Sequence, residues 1–425
     1  MNMVYKISDI PGYKELINDE KNEQTKALKL NKIIYSTKNN TYKVIRYDKN
    51  FLSFDTIPII GLLRSVILNS DNRVISFAPP KSIPIDTFIQ NNENMENIIA
   101  EEFIEGTMIN VFWDETSGLS GCWEIATRNT VGGDSSFYKS SFSKISKISK
   151  SFRDMFLEAV KENELDINTL NQRFCYSFVL QHPDNRIVVP FKKPQLYLVE
   201  VYEIVNTENG TVNVFPIPIQ MYIGNGMFSK VKEQLNLNNT SIKFPTIYKD
   251  WTDYNDLRAK YASMNTPYEI LGVVLRNTST LSRSKIRNPV YENVRQMRGN
   301  QPKLQYQYLS LRQQGKVGEF LNFYPENKHE FSFFRDNLHN FTLTLFQNYI
   351  SCYINKERPL KEFPDQYRTH MFHIHKNYID ELKPKNEYVN KTVVINYVNN
   401  MHPSLQMYSL NHHMRKRHID FVKTI

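Results

Sequence analysis

Cysteine is scarce in this sequence: Cys122, Cys175 and Cys352 stand far apart in 425 residues. That excludes a disulfide framework and a cysteine-rich zinc site, and it suits a reducing compartment. No apolar stretch approaches the roughly 18 residues needed to cross a bilayer. The opening MNMVYKISDIPGYKE lacks the apolar core of a secretory signal, so a cytoplasmic protein without a membrane partner is expected. There is no G-x-x-x-x-G-K-[ST] phosphate loop, and the scattered serines form no nucleophile motif. Glu101 and Glu102 are adjacent, and neighbours on a strand face opposite sides; they read as strand-end charges, not as an acid–base pair.

What is present is aromatic and basic. Phe, Tyr and Trp make up 13% of the chain, with 25 Tyr and 26 Phe, and the net charge is +9. Such rings fill cores and also stack on bases, while the basic balance is compatible with a polyanionic partner. The abundance of Asn, Ile, Lys and Tyr suggests an AT-rich genome, of a virus or parasite.

The length allows two or three domains at roughly 150 residues each. Residues 1–50 are mixed and polar, with a short helix around YKELINDEKNEQTKALKLNKII, and read as an extension packing on the body. From 51 to 298, runs rich in Val, Ile, Phe and Trp alternate with turn residues, the pattern of strands. A Ser/Lys loop, SFSKISKISK, leads into an amphipathic helix. Beyond GNQPK (299–303) the apolar spacing becomes helical. The expected fold is therefore α+β, with antiparallel sheets and flanking helices, followed by a mainly helical domain over 299–425.

Five stretches carry a resemblance: LLRSVILNSDNRVISFAPPK (62–81), AEEFIEGTMINVFWD (100–114), EIATRNT (124–130), YSFVLQHPDNRIVV (176–189), and EILGVVLRN with SKIRNPVY (269–277, 284–291). Together, over about residues 50–295, the chain resembles the bacteriophage-type ATP-dependent RNA ligases of the covalent nucleotidyltransferase superfamily. In that family a lysine of a K-x-D-G motif attacks the α-phosphate of ATP. One later carboxylate contacts the ribose, another helps position metal, and a K-x-K pair contacts phosphates. The resemblance thus implies a nucleotidyltransferase body between residues 51 and 298. It places Arg64, Lys81, Glu105, Gly106, Arg128, Arg186, Lys285, Arg287 and Tyr291 at phosphate- or nucleotide-contacting positions.

The reactive groups are missing. Phe103 stands at the nucleophile position, Ser177 at the ribose carboxylate and Leu271 at the metal-associated carboxylate. Glu269, two residues earlier on the same expected strand, is the substitute for Leu271. No lysine occurs between Lys81 and Lys139, so Lys81 is the substitute for the nucleophile. An aromatic ring cannot form the phosphoramidate, and loss of nucleotidyl transfer is the leading expectation. No cofactor is then expected, while ATP and magnesium return if ligase activity survives.

The surviving positions are cationic, and cations bind phosphates whether or not chemistry follows. Downstream, Arg295, Arg298 and Lys303 continue a basic run with Tyr291, Tyr306 and Tyr308 interleaved, which suits RNA. The leading reading is an inactive RNA ligase-like protein that binds RNA or a macromolecular complex, in host cytoplasm or virion if viral. The alternatives are an active ligase with an atypical site and a structural scaffold. His370, His373 and His375 cluster in THMFHIHK, where packing within an aromatic helical domain is favoured over a metal site. The basic run at 412–418 reads as a solvated tail.

Overall fold

The computed structural model describes residues 3–35, 40–136, 150–299, 301 and 303–413. The Ser/Lys loop up to residue 149 and most of the basic tail lie outside the described residues. The chain divides into two compact units, one running through Arg295 and the other starting at Gln296.

Among the described residues, the first unit is built on fourteen strands. In chain order these are β1 (Tyr5–Lys6), β2 (Leu28–Tyr35), β3 (Asn40–Tyr47), β4 (Val66–Leu68) and β5 (Val74–Phe77). Next come β6 (Ile98–Glu102), β7 (Thr107–Asp114), β8 (Cys122–Ala126), β9 (Phe174–Gln181) and β10 (Gln195–Asn206). The last are β11 (Val212–Pro216), β12 (Ile247–Tyr248), β13 (Gly272–Asn277) and β14 (Arg283–Arg287). They form a six-stranded sheet of order β1-β11-β10-β9-β7-β8 and two four-stranded sheets, β12-β6-β13-β14 and β2-β3-β4-β5. All their strand pairings are antiparallel.

The first fifty residues contribute more than a helix. A helix does form, but only over Tyr13–Ile17, and the chain then enters β2 and β3. Apolar positions of LKLNKIIY and NTYKVIRY alternate with Lys and Asn, so one face packs inward while the other stays polar. Tyr42, Val44 and Ile67 meet Phe112 and Cys175 of the central sheet in one apolar cluster.

The opposite face of the central sheet buries Ile109, Val111, Tyr176, Phe178 and Leu198 beneath the helices Phe152–Glu162, Ile219–Gly224 and Phe228–Gln234. The first of these helices opens with a capping box, Ser151 and Asp154 satisfying each other's backbone N–H. In the β12-β6-β13-β14 sheet, Ala100, Val273, Leu275 and Ile286 pack against Phe88 and Leu257 of flanking helices. The other face of that sheet forms the candidate site.

The second unit is helical. Its longest helix, Lys328–Tyr349, buries Phe331, Phe334, Leu338, Phe341, Leu345 and Tyr349, a spacing of three and four residues that makes one apolar stripe. Tyr308 is buried here against Phe331 and Phe334, so it belongs to the core and is withdrawn from any base-stacking surface. His370 is buried too, bonded to Tyr397 Oη at 3.0 Å and Ser409 Oγ at 2.8 Å. Burial pushes its imidazole down to about 4, and among the described residues no cluster of three metal-ligating side chains occurs.

Candidate functional site

The stretch that holds Phe103 is not a hairpin. β6 belongs to one sheet and β7 to another, so residues 103–106 carry the chain across from sheet to sheet. The crossing demands glycine: Gly106 has φ +149, and a Cβ there would lie 2.5 Å from the Leu180 carbonyl oxygen. The segment PDNRIVV then clamps the turn. Asn185 donates to Thr107 Oγ1 at 2.8 Å, and the N–H groups of Val188 and Val189 donate to the Glu105 carboxylate at 2.9 and 3.1 Å. Glu105 is therefore a structural acceptor; burial raises its carboxyl above the usual range, opposed by those backbone bonds and by Tyr291.

A cavity of about 290 Å³ opens at this crossing. Its apolar floor comes from the central sheet, with Met108, Val179 and Val199. Val199 reaches it through a register shift between Leu198 and Glu200, where β10 bulges against β9. The opposite wall is the β13–β14 hairpin, supplying Val274, Arg276, Arg283, Lys285 and Arg287, with Glu101 and Glu102 from β6. Arg64, Tyr291 and Arg295 complete the wall.

The hairpin's alternation explains the charge. In RSKIR, Ser284 and Ile286 are buried, with Ile286 on the apolar side of the sheet, while Arg283, Lys285 and Arg287 share the cavity face. Lys285 Nζ sits 4.0 Å from the centroid of the Phe103 ring, and Arg287 Cζ sits 5.6 Å from it. The ring thus serves as a platform for two cations. Burial, reinforced by Arg283, Arg64 and Arg287, holds the Lys285 amine well below the ordinary lysine range. Burial and Arg283 likewise push Arg64 down to about 10.

Beneath them lies an ion-pair network absent from the sequence reading. Arg276 donates from Nε to Glu101 Oε1 at 2.5 Å and from Nη1 to Glu200. These residues are buried, and they tie β6 and β13 of one sheet to β10 of the other. Burial alone would loosen the Arg276 proton, but Glu101 and Glu200 hold the guanidinium charged and raise its pKa above the ordinary arginine value.

The structure thus brings Phe103, Glu105, Gly106, Arg64, Lys285, Arg287, Tyr291, Arg295 and Leu271 to one cavity. Lys81 and Arg128 are not among its lining residues. They cluster with Arg64, and Arg128 lies 5.0 Å over the Tyr47 ring. Arg186 turns its Nε to the Val188 carbonyl at 2.9 Å, outside the lining. Arg298 and Lys303 fall in the second unit.

Ser177 is buried, donating to Asn110 Oδ1 at 2.8 Å. Glu269 does not substitute for Leu271: β13 begins only at Gly272, and Glu269 is exposed in the preceding turn. The same-face relation of residues two apart applies only along a strand. Gly272 itself has φ +128, which ends the extended run before Leu271 and so keeps Glu269 off the strand. Arg283, missed because it precedes the K-x-K pattern, is legible in hindsight from the alternation R-x-K-x-R.

No protein-family model matches the chain. An RNA ligase of Rhodothermus phage RM378 is 24% identical over 209 residues, 45% of this chain and 44% of that protein. The chain is RNA ligase-like. An immediate-early protein ICP-46 homolog of Invertebrate iridescent virus 6 is 24% identical over 334 residues, covering 72% of this chain and 65% of that protein. The matches therefore span under half of the phage protein and just under two thirds of the iridescent virus protein, and both relatives are viral. Among solved structures, a Naegleria gruberi RNA ligase variant with ATP and Mn shares 12% identity over 50% of this chain and 55% of that one, with a TM-score of 0.33. An archaeal ATP-dependent RNA ligase shares 10% over 71% and 67%, with a TM-score of 0.36.

Proposed function

We propose that this RNA ligase-like protein is catalytically silent and binds RNA through its cationic cavity. The observation that carries the reading is the Phe103 ring seated beneath Lys285 and Arg287, at the position where the motif resemblance expects the nucleophile. A phenyl ring has no lone pair to attack phosphorus, whereas the cations around it remain suited to phosphate. The phage relative's name, RNA ligase, supports RNA as the polyanion. The viral relatives support a place in host cytoplasm or virion under the same proposal.

A second reading is favoured by one observation. Among the cavity's lining residues Lys285 is the lysine, and Lys81 is absent. An amine held below its usual range is a stronger nucleophile near neutral pH, so Lys285 displaces Lys81 as the residue to test for an atypical ligase. One experiment separates the readings: incubation with α-³²P-ATP and Mg²⁺ or Mn²⁺. The expected result is no covalent label, and a label abolished by Lys285→Arg would overturn catalytic silence. In parallel, RNA affinity should fall steeply with salt, and Arg287→Glu with Arg295→Glu should weaken it at least tenfold. Undiminished binding by that double variant means the groove is wrongly assigned.

A further inference from the structure

The motif resemblance implies a metal-associated carboxylate, and the residues here do not fit a divalent metal. Glu105 is held by backbone N–H groups, and Glu102 Oε2 accepts from Thr246 N at 3.2 Å and Oγ1 at 3.0 Å. Glu101 keeps one oxygen without a partner, but the other is bonded to Arg276 and the carboxylate lies among arginines. Leu271 fills the wall where the resemblance calls for a carboxylate. A magnesium ion binds through oxygen ligands, and beside Arg276 and Arg283 it would meet like charge.

The cations are also short of acids. Arg283 is 8% exposed, and its Nε and Nη1 are buried without a hydrogen-bond partner. Its nearest carboxylate oxygen, Glu200 Oε1 at 3.9 Å, is the one already bonded to Arg276. Among the described residues, Arg64 Nη1 finds only the Pro79 carbonyl oxygen, at 3.4 Å. Arg287 and Arg295 share a single acid, Glu292. Lys285 faces the Phe103 ring instead of a carboxylate. Like charges crowded into a desolvated pocket repel strongly, and an anion would relieve them. One phosphate carries about −2 at most at neutral pH, less than Arg64, Arg283 and Lys285 together with the half-shared Arg287.

We infer that the cavity binds a polyphosphate chain free of divalent metal, with Arg64, Arg283, Lys285 and Arg287 taking the place of the metal. The inference rests on the reading of the cavity as a phosphate site and names its ligand class. A polyphosphate can come from an RNA 5′-triphosphate end or from a free nucleoside triphosphate, and the two share the same chemistry.

The test is calorimetric titration of the full chain with inorganic tripolyphosphate, in EDTA and in excess Mg²⁺. Binding is expected in EDTA and should weaken at least tenfold in Mg²⁺, because complexed polyphosphate presents less charge. Arg283→Gln should lose at least tenfold in EDTA. Arg287→Gln, at an exposed position, should also weaken binding and serves if the buried variant fails to fold. Titrations with ATP, 5′-triphosphate RNA and 5′-hydroxyl RNA identify the source. Tighter binding of triphosphate than of hydroxyl RNA points to the RNA end, and binding of ATP matching tripolyphosphate points to the nucleotide. Binding that requires Mg²⁺, or no tripolyphosphate binding alongside salt-sensitive binding of both RNAs, overturns the inference while leaving RNA binding in place. If neither tripolyphosphate nor RNA binds, both readings fall.

Discussion

Arg276 and Arg283 are cross-strand partners on one hairpin, yet their surroundings differ. Arg276 is bonded to two buried carboxylates from two other strands, Glu101 and Glu200. Arg283 has two buried nitrogens without a partner and turns toward the cavity. A buried guanidinium is costly unless paired. The contrast teaches how to tell architecture from function in one cluster of arginines. The satisfied cation fastens two sheets together, and the unsatisfied one marks where a ligand's charge is needed.

The largest effect should come from breaking the satisfied side. Arg276→Met would leave Glu101 and Glu200 buried without their countercharge, and removing one partner of a buried pair costs about 3–5 kcal/mol. Equilibrium urea denaturation of the full chain should show that loss. By contrast, Arg283→Gln should cost little or even stabilise the free protein, since it removes an uncompensated charge. Similar losses at both positions would erase the distinction between the two arginines.

A smaller effect should appear on changing pH. Because Lys285 has its folded-state value depressed below the ordinary lysine value, the unfolded chain binds more protons between the two. Stability of the free protein therefore rises with pH through that window, which ends near lysine's ordinary value, and is lost as pH falls through it. Lys285→Met should remove this contribution, measured as the difference between variant and parent in denaturant midpoint across pH. Anion binding should run the other way: affinity for tripolyphosphate falls as the amine loses its proton, and Lys285→Arg keeps it level. An unchanged binding profile in Lys285→Met would show that Arg64, Arg283 and Arg287 carry the charge without the lysine.

Much of this was written in local pattern. The turn at Gly106 and the face shared by Lys285 and Arg287 follow from turn residues and strand alternation, whereas the clamp from PDNRIVV joins residues 78 to 84 positions apart. The helical stripe of Lys328–Tyr349 follows from its spacing. Long-range pairing was not legible. Nothing local says that β6 and β7 enter different sheets, that Glu200 approaches Arg276, or that Asn110 and Ser177 meet as cross-strand neighbours. Polar Lys and Asn on one face hid β2 and β3, whose other face is core. Glu269 was placed on a strand because the chain looked continuous, whereas Gly272 starts that strand with a conformation that L side chains rarely adopt.

The smallest expected effect concerns Phe103, where apolar filling and charge recognition coincide. Phe103→Leu keeps most of the apolar volume but removes the π face beneath Lys285 and Arg287. A cation–π contact is worth about 0.5–2 kcal/mol, depending on exposure, so the variant should lose stability on that scale, and Phe103→Tyr should keep it. Only the protonated amine is attracted to the ring. The loss in Phe103→Leu should therefore be larger at a pH where Lys285 is charged and shrink as the amine is neutralised, down to the share contributed by Arg287. A loss that ignores pH and is the same in Phe103→Tyr would mean the ring is packing alone. Charge-dependent loss would mean that the side chain standing where a nucleophile is expected holds the cations that receive the ligand.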